Sequence, residues 1–215
     1  MNCLIITGGQ IDLPFAKKQM AAEEWDFVIS ADSGLNFCRA ADVLPDEIWG
    51  DFDSADPDVL CYFREKCPER IHIFPAEKDE TDTELALMRV IETGADRITI
   101  LGGTGTRLDH VLGNLHLLKM AMDAGVECFI IDPHNRIRMI QGRTMLRKKE
   151  QFGTYVSLIP FTPKVEGLTL RGFAYEVEDF TLESGKARGV SNEIRREAAV
   201  IEMRKGILLV IESKD

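Results

Sequence analysis

The chain is poor in the features that mark several common protein classes. It has five cysteines, an odd number, scattered and without a Cys-x-x-Cys pair, which excludes a disulfide framework and a zinc-ribbon cluster. They read as small core residues of a reducing cytosol. No apolar run approaches the ~20 residues needed to span a bilayer, and Asn2 to Thr7 is too short for the apolar core of a signal peptide. The expectation is a cytoplasmic protein with no membrane partner. A basic surplus is missing as well: the formal net charge is −10, which argues against nucleic acid or an anionic membrane as partner, since both need cations to replace their counterions. Neither Gly-x-Ser-x-Gly nor Gly-Lys-Ser/Thr occurs, and His72, His110, His116 and His134 show no metal-ligand spacing, so activated-serine chemistry and the Walker phosphate loop are not indicated.

What the chain does have is acid, unevenly placed. Residues 1–142 carry 13 Lys+Arg against 25 Asp+Glu, a balance of −12, whereas residues 143–215 carry 13 against 11 and come to +2. The two parts also differ in grammar. Up to about residue 140, short apolar runs (Cys3 to Thr7, Phe27 to Ala31, Glu47 to Gly50, Ile71 to Phe74, Arg97 to Leu101, Glu127 to Ile131) alternate with helical stretches, as in a parallel sheet with crossover helices. The strongest helical period runs from Leu108 to Ala124, with Leu108, Val111, Leu112, Leu115, Leu118 and Met122 on one apolar face, and a second runs from Thr83 to Thr93. After residue 142, Phe152 to Pro160, Val165 to Leu170, Tyr175 to Phe180 and Glu197 to Ile211 are strand-like with turn residues between them, and Lys205-Gly206 between two apolar runs predicts a hairpin. The expected fold is therefore α/β: an N-terminal Rossmann-like parallel-sheet domain over 1–142 and a smaller C-terminal antiparallel domain over 143–215, with the boundary near Gln141 to Lys149.

Aspartates recur where the apolar runs end, at Asp32, Asp51, Asp53 and Asp109. In open parallel sheets the carboxyl ends of the strands converge on the ligand crevice. Asp-x-Asp at 51 and 53 places two carboxylates on one side if the backbone is extended, and hard oxygen ligands suit Mg²⁺. A bare Asp-x-Asp serves equally as a turn, and Asp53-Ser54-Ala55-Asp56-Pro57 has the look of a helix entrance with Ser54 or Asp56 as cap; repetition on several strands favours the metal. Gly102-Gly103-Thr104-Gly105-Thr106-Arg107 lies between a strand and the best helix, where backbone amides can cradle a phosphate or simply make a tight connection. In Lys78-Asp79-Glu80-Thr81-Asp82-Thr83-Glu84, a capping box accounts for Thr81 and Glu84, and helix-dipole compensation for Asp82, leaving Asp79 over. Positioning and electrostatics are the catalytic style this inventory allows, and phosphoryl-type transfer fits it.

Taken in order, Ala-Asp-Ser-Gly-Leu-Asn (31–36), Gly-Asp-Phe-Asp-Ser (50–54), Lys78-Asp79 with Thr81-Asp82 and Glu84, Arg-Leu-Asp-His (107–110) with Asn114, and Arg-Gly-Val-Ser-Asn-Glu (188–193) resemble the thiamine pyrophosphokinase family across nearly the whole chain. The resemblance implies a transferase: an ATP-binding catalytic α/β domain, a thiamine-binding β-sandwich, a homodimer, and Mg²⁺-dependent transfer of the pyrophosphoryl unit of ATP to the hydroxyl of thiamine, releasing AMP. It further implies Asp51, Asp53 and Asp79 as metal carboxylates, with Asp79 or Asp82 as base. Asp32, Asn36, Gly103, Arg107, Asp109 and Asn114 would lie on the nucleotide side. Asp82, Ser191 and Asn192 would lie on the thiamine side. Ser33 and Thr106 stand where the family often has glycine, and neither Trp25 nor Trp49 lies in the C-terminal part to stack on a thiazolium. Two rivals remain at this point: a Mg²⁺-dependent phosphohydrolase of nucleotides or sugar phosphates, and a non-enzymatic thiamine sensor.

Overall fold

A computed structural model describes residues 1–75 and 77–215, which form two compact units, Met1–Pro133 and His134–Asp215. In the first unit six strands, β1 (Asn2–Ile6), β2 (Phe27–Ala31), β3 (Glu47–Gly50), β4 (Ile71–Ile73), β5 (Arg97–Leu101) and β6 (Glu127–Ile131), pair in the order β4-β3-β2-β1-β5-β6, every pairing parallel. The predicted runs match these strands to within one residue at each end. Leu4, Ile5, Ile6, Ile98 and Ile100 are fully buried, as the continuous apolar runs of β1 and β5 require. The chain lays down β1 to β4 outward in one direction and then returns to place β5 on the other side of β1. That reversal makes the β1/β5 edge the switch point where a crevice opens.

Five helices connect the strands: α1 (Leu13–Ala22), α2 (Gly34–Ala41), α3 (Pro57–Lys66), α4 (Asp82–Glu92) and α5 (Leu108–Asp123). Their starts are written locally. Asp12 accepts from Phe15 N at 2.8 Å, Asp56 from Asp58 N at 2.9 Å ahead of Pro57, and Thr81 from Glu84 N at 3.2 Å. Asp56, not Ser54, is thus the α3 cap. On α5 the predicted apolar face is only partly an inner face: Leu118 and Ala121 are buried, while Leu108 and Leu112 are 72% and 58% exposed. Periodicity finds an apolar stripe without saying what covers it, and here the N-terminal half of the stripe has no cover within its own unit.

The second unit is a β-sandwich. One layer has β7 (Asn135–Ile140), β13 (Leu208–Ser213) and β9 (Tyr155–Pro160), with β13 antiparallel to both neighbours; the other has β11 (Val177–Glu183), β10 (Lys164–Arg171), β12 (Ala198–Glu202) and β8 (Arg143–Arg147) in that order. Val156, Leu158, Leu208 and Val210 from the first layer share a core with Val165, Leu170, Ala199 and Ile201 from the second. The compact units divide after Pro133, since β7 pairs with β13 of the second unit. One expectation changes here. The segment on either side of Lys205-Gly206 is not a hairpin, since β12 and β13 belong to different layers; Glu166 N donates to Lys205 O at 2.8 Å and Arg204 N to Glu166 O at 3.0 Å, which ties the connection to β10 while it changes layer. A buried carboxylate, Glu212 at 1% exposure, is held in the sandwich by the Arg136 guanidinium at 2.8 Å and by Phe152 N at 3.2 Å.

Candidate active site

At the carboxyl ends of β1, β2, β3 and β5 lies a cleft of about 720 Å³. One wall is polar backbone. The loop after β1, Thr7-Gly8-Gly9-Gln10, is laced to the loop after β5 by Gly9 N to Gly102 O at 3.0 Å and Gln10 N to Thr104 O at 2.8 Å. A Cβ on Gly9 would stand 2.1 Å from Gly102 O, and Gly102 itself has φ +77 with the Thr7 carbonyl oxygen 2.2 Å from where a Cβ would be, so both positions demand glycine. Gly103 lines the cleft, and its carbonyl accepts from Asn114 Nδ2 at 2.9 Å, so Asn114 on α5 fixes the loop from below. The Gly8-Gly9 pair was not among the predicted site residues. Its signal was present: it follows the first apolar run just as Gly102-Gly103 follows the fifth.

The opposite wall carries the carboxylates of Asp32, Asp51 and Asp82, and the exposed Asp53 stands next to it without lining the cleft. Asp32, Asp51 and Asp53 each offer a carboxylate oxygen, and these atoms all lie within 4.8 Å of one another. The convergence does not come from an extended Asp-x-Asp. Phe52, between the two, has φ 62, and Asp53 N donates to Asp51 Oδ1 at 3.0 Å. A bulky residue in the left-handed region is strained; Phe52, 7% exposed, is held there by its place in the apolar core with Ile48, Ala55 and Phe63. Asp32 is also left-handed, with φ 46. Burial pushes its carboxyl above the usual range, against a bond from Ser33 and with the help of the Asp82 and Asp51 charges. Ser33 Oγ donates to Asp32 Oδ2 at 3.2 Å, which gives the departure from glycine at that position a local purpose, while the buried Asp32 Oδ1 has no hydrogen-bond partner. Three converging carboxylates, one with an orphaned buried oxygen, are a donor set that fits a hard divalent cation.

Asp79 is not part of this triad. It is exposed on the loop before α4, and Asp32 is the third carboxylate instead. Asp82, at the first position of α4, lines the cleft, where the Lys78 ammonium approaches its Oδ1 to 2.9 Å and Asp51 Oδ2 to 3.6 Å. Burial draws the Lys78 ammonium down, but the Asp82 and Asp51 carboxylates together hold it above its ordinary value. The N-terminus of α4 is pinned to β1 by a buried hydroxyl pair, Thr7 Oγ1 and Thr83 Oγ1, 2.6 Å apart. Arg107 lines the cleft beside Thr106, and Asp109 grips it, Nη2 to Oδ2 at 2.7 Å and Nε to Oδ1 at 3.3 Å. The Arg107 guanidinium, with His110 N, holds the Asp109 carboxyl down to about 2. Asn36 does not line the cleft; its Oδ1 accepts from Asp56 N at 3.0 Å and so fixes the start of α3.

Ser191 and Asn192 lie in the second unit. Ser191 is exposed with φ 56, and its N donates to Ser157 Oγ at 3.0 Å. Asn192 is buried, and its carboxamide ties its loop to the segment before β11: Oδ1 accepts from Tyr175 N at 3.0 Å and Glu193 N at 2.9 Å, while Nδ2 donates to Tyr175 O at 2.8 Å.

Two sequence families match the chain, "Thiamin pyrophosphokinase, catalytic domain" over residues 19–130 and "Thiamin pyrophosphokinase, vitamin B1 binding domain" over residues 143–208. A thiamine pyrophosphokinase of Bacillus subtilis is 35% identical over 193 residues, covering 90% of each chain. The crystal structure of a Bacillus subtilis thiamine pyrophosphokinase superposes with a TM-score of 0.89 at 32% identity over the full length of both chains, and that of a Geobacillus thermodenitrificans thiamin pyrophosphokinase with 0.86 at 30% identity, covering 100% of this chain and 98% of the other. The chain belongs to the thiamine pyrophosphokinase family, enzymes that transfer the pyrophosphoryl unit of ATP to thiamine.

Proposed function

We propose that the cleft of the first unit is where this transfer takes place, with Asp32, Asp51 and Asp53 as the carboxylates that hold Mg²⁺. The observation that carries the assignment is the convergence of the three carboxylates within 4.8 Å beside a wall of backbone amides and glycines. Like charges held that close, with a buried oxygen unsatisfied, destabilise the free protein and call for a cation. When bound, Mg²⁺ supplies charge neutralisation and Lewis-acid polarisation at phosphate oxygens. Gly9 N and Gln10 N are spent on the lacing, so the amides of the loop after β5 receive the phosphate oxygens, with the N-terminus of α5 behind it. Arg107, steadied by Asp109, stabilises the negative charge that develops on the transferred group, a geometric task suited to a guanidinium. Asp82 lines the cleft and the exposed Asp79 does not, and we assign Asp82 to accept the proton of the attacking alcohol. In the second unit, Asn192 serves as the brace of its loop, and the exposed Ser191 beside it is the residue we assign to thiamine.

The exposed Leu108 and Leu112 on α5 support a homodimer, because two large apolar side chains one turn apart on a helix are stabilised by cover. Free cysteines, four of the five buried, support a reducing, cytoplasmic setting; burial pushes the Cys38 thiol up to about 12, out of reach of ordinary thiolate chemistry. No helix among the described residues is long and apolar enough to cross a membrane. The direct test is incubation with ATP, Mg²⁺ and thiamine, with products resolved by mass. AMP and thiamine diphosphate are expected, and ADP with thiamine monophosphate would overturn the assignment. Asp53→Asn should reduce AMP formation to below roughly a tenth while leaving the protein cooperatively folded, because the lost group is a ligand and not core.

A further inference from the structure

The cleft already contains a cation of its own. Lys78 is tethered on the loop before α4, four residues ahead of Asp82, and its ammonium reaches Asp82 Oδ1 at 2.9 Å and Asp51 Oδ2 at 3.6 Å. All three side chains are largely sheltered, at 13% exposure for Lys78, 16% for Asp51 and 18% for Asp82, so the ion pairs are less screened than surface pairs. A divalent ion that takes an oxygen of Asp51 must either displace this ammonium or sit beside it against like-charge repulsion. Lysine suits displacement: it is a compact point charge on a flexible four-carbon stem. A polyphosphate entering the cleft offers that charge another partner.

We infer that Lys78 is a tethered counter-cation that competes with the divalent ion for Asp51, so that the free enzyme binds the metal weakly and takes it up together with the nucleotide. The inference rests on the reading of Asp32, Asp51 and Asp53 as the metal carboxylates. It makes Lys78 the origin of a positive coupling between metal and nucleotide: phosphates draw the ammonium off Asp51, and the vacated carboxylate then serves the ion. Thermodynamic linkage requires that the metal in turn strengthens nucleotide binding by the same factor.

The test is direct binding of Mn²⁺, followed by the protein-dependent loss of the free ion's electron paramagnetic resonance signal beyond that caused by the nucleotide alone, with and without a non-hydrolysable ATP analogue. Lys78→Met should tighten Mn²⁺ binding to the nucleotide-free enzyme by roughly five- to fiftyfold and shrink the gain that the analogue gives, within the ordinary range of site-to-site coupling. Lys78→Arg, which keeps the charge, should bind the free ion as weakly as the parent. In an Asp51→Asn background the gain from Lys78→Met should vanish, since the contested ligand is gone. Unchanged or weaker Mn²⁺ binding by Lys78→Met, in a protein whose parent binds Mn²⁺ with the analogue present, overturns the inference alone. Absence of Mn²⁺ binding by parent and variant alike, even with the analogue, overturns the metal assignment and the inference with it.

Discussion

Replacing Asp32 by Asn should stabilise the metal-free protein. The carboxylate lies within 4.8 Å of those of Asp51 and Asp53, and two unit charges at that distance repel by about 3 kcal/mol at an effective dielectric of ~20. The cleft is open to water and Lys78 offsets part of the negative charge, so a net gain of about 1–2 kcal/mol is the reasonable expectation. For a chain of this size that is roughly 3–6 °C in the thermal midpoint. The substitution adds no backbone strain, because φ 46 is a conformation asparagine adopts readily, and the amide oxygen still accepts from Ser33 Oγ. The pH dependence follows from the direction of the shift. Burial raises the Asp32 carboxyl in the folded chain, so the folded state binds that proton more tightly than the unfolded one. Stability due to this group is present in acid, below its unfolded value, and is lost as pH rises through the folded value. Parent and Asp32→Asn should therefore unfold alike in acid and separate towards neutrality. Calorimetry in EDTA at several pH values reads this out, and adding Mg²⁺ should narrow the gap by stabilising the parent more. A variant less stable than the parent at neutral pH in EDTA would refute the view that the site stores repulsion.

Two further outcomes can be checked on the same preparations. Asp109→Asn should raise the KM for ATP by roughly two- to fivefold with kcat and the thermal midpoint little changed, because the lost group only steadies Arg107; the Asp109 carboxyl, held down to about 2, is ionised throughout the working range, so the parent should show no pH effect from it. Glu212→Gln should cost about 2–4 kcal/mol in urea unfolding, since it leaves the Arg136 guanidinium without its buried counter-charge in the sandwich; a change under ~0.5 kcal/mol would contradict that role.

How far the fold could be read from the residues depended on whether local chemistry decided it. β2, β3, β5 and β6 were bounded to the residue because buried parallel strands are near-continuous apolar runs, and the α4 start was legible in Thr81 and Glu84. β7 and β8 were not foreseen. Their Arg136, Arg138, Arg143 and Arg147 interrupt the apolar pattern, and tertiary pairing, with β13 and β12 among the partners, makes them strands. Lys205-Gly206 carried a hairpin signal that the layer change overrode, since tertiary pairing with β10 outweighs a turn preference. At the site, Asp32, Asp51, Asp53, Gly103 and Arg107 were marked by their position after strands or before a helix, whereas Asp82 and Asn114 were marked by the family resemblance alone. The geometry gathers the first three into one triad and sets Asp79 outside it. Spacing could not foresee that Asn36 and Asn192 spend their carboxamides on backbone groups, because those bonds join segments far apart in the chain.

Phe52 ties the acidic turn to the apolar interior: one side chain wedges among core residues while its own backbone holds the unfavourable bend that aims Asp51 and Asp53. Slackening that wedge gives the bend a reason to relax before anything else comes apart. Inactive variants gathered by random mutagenesis should therefore include hydrophobic positions around Phe52 whose products remain folded, and reversion would be sought in neighbours that refill the space, not in the carboxylates themselves.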